Sequence, residues 1–447
     1  MSVSPEPSLS PGGVVELRED VPLKQYHTSP GGLCAGGPRV IIGAFATLTL
    51  AITIALITQI YYGDYQVVPH GSVSSSSAEC SSVGTNIIRA GGRAIDASIA
   101  TSFCLAVVAP HRTSLDAQPT LVEWSGNHNS LDTNPVPRLV LGLAAIHDTY
   151  GTLPWPTLLQ PAIDLARNGF NVSAGLAIAS SSLFIPGYVA GALRTEPILA
   201  DYLQSLQQNT SAELCAAWLC ESLVISSSVG TVKAGTWRIW AGSSGARAAI
   251  ALSSAFEPLP LSSLEALQRV VANLQSQAIS AAETWPSGVS SGLAVVDPQD
   301  TYVALVTGLT VAFGSGKEMP DGWRQDIPAA PLDLAPAILV DEFVCGTRYI
   351  MGAESLSALA QGVATAFMDG PLNIVEAVES ARVVVEAGGS LAIEPNRILP
   401  LAVLSALFKG LPGNATLPLA ALNMVQQRSD ELLSHADSRG GGLASRF

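Results

Sequence analysis

Two adjacent serines about two-thirds of the way along the chain are the side chains best placed to do chemistry. Ser290 and Ser291 directly precede the apolar run Gly292-Leu-Ala-Val-Val296, which is typical of a buried β-strand. A serine hydroxyl becomes a strong nucleophile when a base lies within hydrogen-bond reach. The residues alone leave a second interpretation open, because Gly/Ser clusters before strands are usually polar loop residues.

Other familiar catalytic and binding motifs do not compete with this pair. The six histidines are scattered, and none accompanies a serine and an acidic residue in a recognisable triad pattern. Gly314-Ser-Gly316-Lys317 is similar to the end of a phosphate-binding loop, but the glycine required five residues before Gly316 is Val311. The cysteine spacings do not match a zinc site.

One apolar segment predicts a membrane helix. Residues 40–61 form an uncharged run of 22 residues, which is long enough to cross a bilayer. A cleaved signal peptide is the alternative, but roughly 40 mixed residues precede the run. Basic residues lie before the run and none follows until Arg89, so the positive-inside rule places residues 1–39 in the cytosol. We therefore predict a single-pass, type II membrane protein whose main mass is extracellular or lumenal.

Composition agrees with this placement. Three N-x-S/T sequons begin at Asn171, Asn209 and Asn414, all on the predicted lumenal side. Five of the six cysteines also lie there, where an even number should pair and leave one over. The formal net charge of −14 argues against nucleic acid as a partner, because no basic face is available to meet phosphates.

The secondary-structure pattern changes along the chain. Residues 142–170 read as two helices, with Gly151 ending the first and Pro154 opening the second. After Pro286 the pattern becomes β-rich, with turn residues Asp297-Pro-Gln-Asp300 between two strands. The predicted elements there are the hairpins 292–306 and 337–351, followed by helices near 355–368 and 374–385; a further helix is expected over 246–255.

Several of these segments together resemble the gamma-glutamyltransferase (glutathione hydrolase) family of N-terminal-nucleophile hydrolases. Residues 142–170 resemble the family's G-x-x-x-x-H-x-x-[YH]-G-x-L-P-W…P-[AS]-I-x-L-A-R-x-G-F. Gly91–Ala100 resembles its G-G-x-A-V-D-A-A-I-A helix, in which Asp96 reads as a solvated or helix-capping carboxylate, and residues 437–442 resemble its C-terminal D-S-R-x-G-G. The resemblance runs from about residue 75 to the end of the chain.

The resemblance implies a role for Ser290. The family's nucleophile is a threonine in T-x-H-x-[SA]-V-V, followed at a fixed interval by F-G-S, and here Ser290 precedes Phe313-Gly-Ser315 at that interval. It implies that the chain cuts itself between Val289 and Ser290, which frees the Ser290 α-amine to act as base. It further implies cleavage of the gamma-glutamyl amide of glutathione or its conjugates through an ester on Ser290, with water, an amino acid or a dipeptide as acceptor and no metal or organic cofactor.

Further residues are assigned by the same resemblance. Thr307, Thr310 and Ser355 become candidate substrate-binding residues. The expected disulfides are Cys80–Cys104 and Cys215–Cys220, which leaves Cys345 as the odd thiol.

Some positions depart from the family pattern. The family's histidine two residues after the nucleophile is Gly292, and its oxyanion-hole glycine pair corresponds to Ser355-Leu356; losing one oxyanion donor can cost roughly 10²–10³ in rate. Arg112 and Arg138 are the candidates for binding a substrate carboxylate, although each is expected at the surface. The alternative function is therefore a membrane-anchored pseudoenzyme that keeps the fold without turnover.

The fold that the resemblance implies is α+β, a four-layer αββα sandwich of the N-terminal-nucleophile hydrolase type, preceded by one transmembrane helix. The predicted organisation is a cytoplasmic tail (1–39), a transmembrane signal-anchor (40–61), a stalk (62–78), a large-subunit region (79–289) and a small-subunit region (290–447).

Overall fold

A computed structural model describes most of the chain, which divides into two compact units, residues 1–66 and residues 67–447. The described residues are 37–62, 70–124, 128–130, 137–218, 230–234, 236–242, 263–280, 288–327, 332, 334–342, 346–366, 374–386 and 388–447. In the first unit they form helix α1 (Gly37–Tyr62), of which Arg39–Thr58 is apolar and long enough to cross a bilayer. The predicted apolar helix is therefore confirmed; its orientation in a membrane stays a prediction.

The second unit contains the remaining elements. Its described helices are α2 (Ala78–Arg89), α3 (Ala94–Val108), α4 (Arg138–Tyr150), α5 (Trp155–Asn168), α6 (Ala174–Ser182), α7 (Pro197–Leu206), α8 (Ser211–Ala217), α9 (Ser263–Ser280), α10 (Leu356–Ala366), α11 (Ile374–Glu379) and α12 (Leu401–Leu407). Its described strands are β1 (Ser72–Ser75), β2 (Gln118–Trp124), β3 (His128–Ser130), β4 (Phe170–Asn171), β5 (Leu193–Arg194), β6 (Gly230–Ala234), β7 (Trp237–Ala241), β8 (Val289–Val296), β9 (Tyr302–Leu309), β10 (Ala335–Asp341), β11 (Thr347–Ala353), β12 (Val383–Val385), β13 (Leu391–Ile393), β14 (Gly413–Asn414), β15 (Leu422–Arg428), β16 (Glu431–His435) and β17 (Ala444–Arg446).

Two six-stranded sheets stack face to face at the centre of this unit. Their strand orders are β17-β1-β8-β9-β2-β3 and β16-β15-β11-β10-β7-β6. Ala294 and Val296 of β8 pack against Ile338 and Ile350 of the second sheet, whereas Leu293 and Val295 share a core with α3 and α5. On the far side of the second sheet, α9, α10 and α11 cover a separate core. The order is helix, sheet, sheet, helix, which confirms the predicted four-layer αββα sandwich.

The helix pair over 142–170 is confirmed as α4 and α5. The Gly151 amide donates to the His147 carbonyl, and Pro154 caps α5. A Cβ on Gly151 would lie 2.6 Å from the His147 carbonyl oxygen, so glycine allows the chain to turn tightly here. His147 closes the turn with a 2.7 Å hydrogen bond between Nε2 and the Leu153 carbonyl.

The predicted stalk is wrong for the part that the structure describes. Ser72–Ser75 form β1, which is fully buried between β17 and β8. A run of serines resembles a linker, but here hydroxyls find partners inside the sheet layer: Ser72 Oγ donates to the Ser445 carbonyl and Ser74 Oγ to the His435 carbonyl. The compact fold therefore begins close behind α1 in the sequence.

Both predicted hairpins are confirmed, as β8–β9 and β10–β11. The helix expected over 374–385 is shorter than predicted, because α11 ends at Glu379 and residues 383–385 form β12. The helix expected over 246–255 lies outside the described residues. Helix α9 was not predicted from the sequence.

Candidate active site

Ser290 is the second residue of β8, near one end of the two stacked sheets. Side chains alternate between the faces of a strand, so Ser290 points like Ala294 and Val296 toward the second sheet. Its neighbour across the ladder is Gly308, where a Cβ would lie 3.2 Å from the Ser290 Cβ. Ser290 is only 4% exposed, so the candidate nucleophile is a buried hydroxyl between the two sheets.

The Ser290 hydroxyl is held by the backbone of Glu354, the residue that follows β11. Ser290 Oγ donates a 3.0 Å hydrogen bond to the Glu354 carbonyl. The Glu354 carboxylate is also buried and accepts from Ser76 Oγ at 2.9 Å, from Arg112 Nη1 at 3.1 Å and from the Ala421 amide at 2.9 Å. We call these five residues the Glu354 cluster. It ties the nucleophile position to three separate segments of the chain.

The two sheets come unusually close beside Ser290, at Gly292 of β8 and Gly352 of β11. A Cβ on Gly292 would overlap the Gly352 carbonyl oxygen and lie 2.7 Å from its carbonyl carbon. Asn423 fixes the same point by donating from Nδ2 to the Gly292 carbonyl at 2.7 Å and to Ser76 Oγ at 3.1 Å. This spacing leaves no room for a side chain at residue 292, the position at which the family pattern has a histidine.

The three predicted substrate-binding residues have different surroundings. Thr307 pairs with Ser291 across the ladder and shares its face, so it points toward the helices and away from Ser290. Thr307 and Ser290 therefore lie on opposite faces of the sheet, and a role for Thr307 in substrate binding stays a prediction. Thr307 Oγ1 and Ser291 Oγ are both buried, and neither has a hydrogen-bond partner among the residues that the structure describes.

Thr310 and Ser355 use their hydroxyls inside the fold. Thr310 Oγ1 donates to Asp326 Oδ2 at 3.2 Å and to the Ile327 carbonyl at 3.1 Å. Ser355 Oγ accepts from the Ala358 amide at 3.1 Å and thereby caps the N-terminus of α10. Ser355 adjoins Glu354 in the chain and so lies next to the Glu354 cluster, while Thr310 lies just beyond the end of β9.

Arg112 and Arg138 are not surface residues, which corrects that expectation. The Arg112 side chain is 13% exposed and pairs with Glu354; the Arg138 side chain is 12% exposed and pairs with Asp326 at 2.8 Å and with Asp116 at 3.2 Å. Burial raises the pKa of Asp116, and the charge of Arg138 opposes that shift. Both arginines act as counter-ions to buried carboxylates.

His111 is a residue of this region that the sequence did not single out. It is buried, its backbone carbonyl accepts from the Phe313 amide, and its ring centroid lies 6.1 Å from that of Phe313. Burial, with a smaller contribution from the charge of Arg112, lowers the His111 pKa to about 3. The imidazole is therefore neutral at physiological pH. The contacts between His111 and Phe313 also pack Phe313-Gly-Ser315 against the loop that carries Arg112.

Asp96 is a capping carboxylate, one of the two roles expected for it. It accepts from the Arg93 amide at 2.8 Å and from the Thr152 amide at 3.0 Å, so it joins the start of α3 to the turn between α4 and α5. Among the described residues, no group of three or more His, Cys, Asp or Glu side chains could hold a metal ion.

The structure describes most of the cysteines and sequon asparagines for which disulfides or glycosylation were predicted. Cys80 and Cys104 form a disulfide that joins α2 to α3. Cys215 is also disulfide-bonded, while its expected partner Cys220 and the expected thiol Cys345 lie outside the described residues. The sequon residues Asn171, Asn209 and Asn414 are all exposed.

Comparison with known proteins finds similarity to the same family over part of the chain. The family model described as gamma-glutamyltranspeptidase matches residues 80–132 and 113–224. The chain is 32% identical over 192 residues to glutathione hydrolase 7 of Bos taurus, a match covering 35% of this chain and 29% of that protein. It is 30% identical over 285 residues to glutathione hydrolase 6 of Mus musculus, covering 57% of each. The matched regions thus span about a third to just over half of these relatives.

The fold has a solved counterpart. The cephalosporin acylase of Bacillus halodurans superposes with a TM-score of 0.68 at 15% identity, covering 85% of this chain and 96% of that one. At this identity the likeness concerns the fold alone, and it agrees with the αββα architecture described above.

Proposed function

We propose that the chain is an amidase of the gamma-glutamyltransferase (glutathione hydrolase) family, whose model its residues 80–224 match, and that it matures by cutting itself before Ser290. The mature Ser290 hydroxyl then takes the gamma-glutamyl group from glutathione or its conjugates and passes it to water, an amino acid or a dipeptide. No metal or organic cofactor takes part in this scheme.

The placement of the Ser290 hydroxyl supports this proposal. It lies at the start of a central strand, faces the space between the sheets and is oriented by the Glu354 carbonyl at 3.0 Å. A serine lacks the methyl group that restricts χ1 in threonine. Here the hydrogen bond to the Glu354 carbonyl restricts the side chain instead.

The maturation step needs only groups of the chain and one water molecule. Ser290 Oγ attacks the Val289 carbonyl carbon, the peptide C–N bond breaks, and the hydroxyl proton passes to the Ser290 nitrogen. Water then hydrolyses the resulting ester and leaves a Val289 carboxylate and a free Ser290 amine. An α-amine has a pKa of about 7.7–8.0, so this amine can accept the hydroxyl proton when Ser290 attacks a substrate amide, and can return it to the leaving amine.

The two fragments would stay together after the cut. Strand β8 remains hydrogen-bonded to β1 on one side and to β9 on the other, and β1 also pairs with β17 near the C-terminus. We propose that the large fragment carries the membrane anchor, with residues 1–39 cytosolic and the sandwich outside the cytosol. Exposed Asn171, Asn209 and Asn414 are available to be glycosylated there.

A gel of the deglycosylated protein from secretory cells, with N-terminal sequencing of any small fragment, tests the maturation step. We expect a fragment beginning at Ser290 that disappears in Ser290→Ala, while Ser291→Ala, whose side chain is on the opposite face, still yields the fragment. The cleaved protein should hydrolyse L-gamma-glutamyl-p-nitroanilide. Hydrolysis that persists unchanged in Ser290→Ala would remove Ser290 from the mechanism.

A second candidate function, an uncut pseudoenzyme, is favoured by a different observation. The hydroxyls of Thr310 and Ser355, two predicted substrate-binding residues, are already used by Asp326 and by α10. A protein of this kind would keep the sandwich as a membrane-anchored binding module. A single intact chain in both wild type and Ser290→Ala would support it over the amidase.

A further inference from the structure

We propose that the Ser290 site does not recognise the α-carboxylate of its acyl group, because Glu354 already neutralises the guanidinium that such a carboxylate would need. The inference rests on the proposed function, since it concerns which acyl groups Ser290 accepts. It makes Glu354 a specificity-determining residue and extends the substrate class to amides whose acyl group lacks that carboxylate.

Arg112 is joined to the nucleophile through a single residue. Its Nη1 atom lies 3.1 and 3.3 Å from the two Glu354 carboxylate oxygens, and the carbonyl of the same Glu354 accepts from Ser290 Oγ at 3.0 Å. Arg112 is thus the arginine tied most directly to Ser290 among the contacts described above. We therefore take Arg112 as the cation that the α-carboxylate of a gamma-glutamyl group on Ser290 would need.

The Glu354 carboxylate should bind Arg112 more favourably than a substrate carboxylate would. Glu354 is 4% exposed and is also held by Ser76 Oγ and the Ala421 amide, each at 2.9 Å. A substrate carboxylate that displaced it would gain one ion pair and break another, so the attraction cancels. The displaced Glu354 would remain buried without a cation, which is strongly unfavourable.

The other candidate arginine is occupied in the same way. Arg138 binds Asp116 and Asp326, both of which are nearly fully buried. Asp326 also receives the Thr310 amide at 2.9 Å, which joins this pair to the end of β9. Both arginines expected to bind a substrate carboxylate therefore serve carboxylates of the protein itself.

Two chromogenic amides that differ only in this carboxylate test the inference on the full-length, cleaved protein. They are L-gamma-glutamyl-p-nitroanilide and 4-aminobutyryl-p-nitroanilide, with Ser290→Ala as the blank. We expect wild type to give a ratio of kcat/KM values near one. Glu354→Gln keeps the shape but removes the charge, and so should raise the ratio in favour of the gamma-glutamyl amide by about 10- to 100-fold, the worth of one charge-assisted hydrogen bond.

Two further variants separate the charge effect from damage to the fold. In Arg112→Gln the ratio should not rise above one, because the Glu354 carboxylate loses its cation and repels the substrate carboxylate. The Arg112→Gln/Glu354→Gln double variant removes both charges, so its ratio should stay near one. Both amides are measured on one preparation, so a loss of folded protein cancels in the ratio. If Glu354→Gln does not fold, wild type and Arg112→Gln still decide the question.

The outcomes that overturn the inference differ from those that overturn the proposed function. A wild-type ratio of about tenfold or more that collapses in Arg112→Gln would show that Arg112 binds the carboxylate after all. An unchanged ratio in a folded Glu354→Gln would show that Glu354 does not block it. Hydrolysis of neither amide by cleaved wild type would refute the proposed function itself.

Discussion

Replacing Gly292 by alanine should destabilise the sandwich at the point where the two sheets touch beside Ser290. The new Cβ would overlap the Gly352 carbonyl oxygen and lie 2.7 Å from the carbonyl carbon and 3.2 Å from the Cα. All three are backbone atoms of β11, which is held on both sides by β10 and β15. Neither sheet can therefore yield by rotating a side chain.

The cost follows from that geometry. Overpacking a core costs about 1–3 kcal/mol, and backbone contacts on both sides place this site at the upper end. Forcing the sheets apart also lengthens the 2.7 Å hydrogen bond from Asn423 Nδ2 to the Gly292 carbonyl, which is worth about 0.5–1.5 kcal/mol. We therefore expect a loss of about 3–4 kcal/mol in the free energy of unfolding.

Thermal and urea unfolding of the detergent-solubilised full-length protein measures this loss. Gly413→Ala in β14 is the matched control, because a Cβ there would meet nothing within 4 Å. Gly352→Ala should resemble Gly292→Ala, since its Cβ would lie 2.6 Å from the Leu293 carbonyl oxygen. If Gly292→Ala and Gly413→Ala unfold at the same midpoint, the close approach of the two sheets at Gly292 and Gly352 is not as described.

Three further predictions concern other parts of the sandwich. Between pH 3 and 6.5 unfolded His111 binds more protons than buried His111, whose pKa is about 3, so the free energy of unfolding should rise with pH by up to about 1.4 kcal/mol per pH unit. Urea unfolding at pH 5 to 6.5 should show a smaller rise with pH in His111→Gln than in wild type. An equal rise in the two proteins would contradict the burial of His111. Ser355→Ala should cost about 0.5–2 kcal/mol through loss of the α10 cap, while Ser355→Asp should retain most of it; a large fall in hydrolysis with unchanged stability would instead restore Ser355 as a substrate-binding residue. Removing the Cys80–Cys104 disulfide by Cys80→Ser/Cys104→Ser should cost about 2–5 kcal/mol, and a thermal midpoint equal to that of wild type would show that the helix pair needs no covalent link.

The sequence predicted those features whose causes are local. Turn residues Asp297 to Asp300 between two β-rich runs were enough for the β8–β9 hairpin, and Gly151 with Pro154 were enough for the α4–α5 turn. The sequence motifs shared with a known family also predicted the order of the helix and sheet layers, which no local pattern specifies. The predicted stalk was wrong because serine hydroxyls in β1 donate hydrogen bonds to backbone carbonyls of strands about 360 or more residues away in sequence.

The candidate site was harder to predict, because its contacts join distant segments. Thr307 and Gly308 are adjacent in sequence, yet only Gly308 shares a face with Ser290. Glu354 gave no signal of its own, since its importance arises from Arg112, Ser76 and Ala421 arriving from three other segments. The two arginines were placed at the surface because a lone arginine is usually exposed, and only the fold shows the carboxylates that bury them.

The site is closed in the intact chain, so cleavage before Ser290 has to be tested before the two candidate functions can be distinguished by activity. In the intact chain Ser290 is 4% exposed, its nitrogen belongs to a peptide bond, and its hydroxyl donates to a carbonyl that cannot accept the proton. Such a serine cannot turn over an external amide, because it has neither room for the substrate nor a base. Cutting the bond before Ser290 supplies the base and frees the preceding segment to leave, so every activity proposed above depends on that one event. A test for a fragment beginning at Ser290 is therefore more informative than assays of many substrates. An uncut chain would exclude turnover at Ser290 for every substrate.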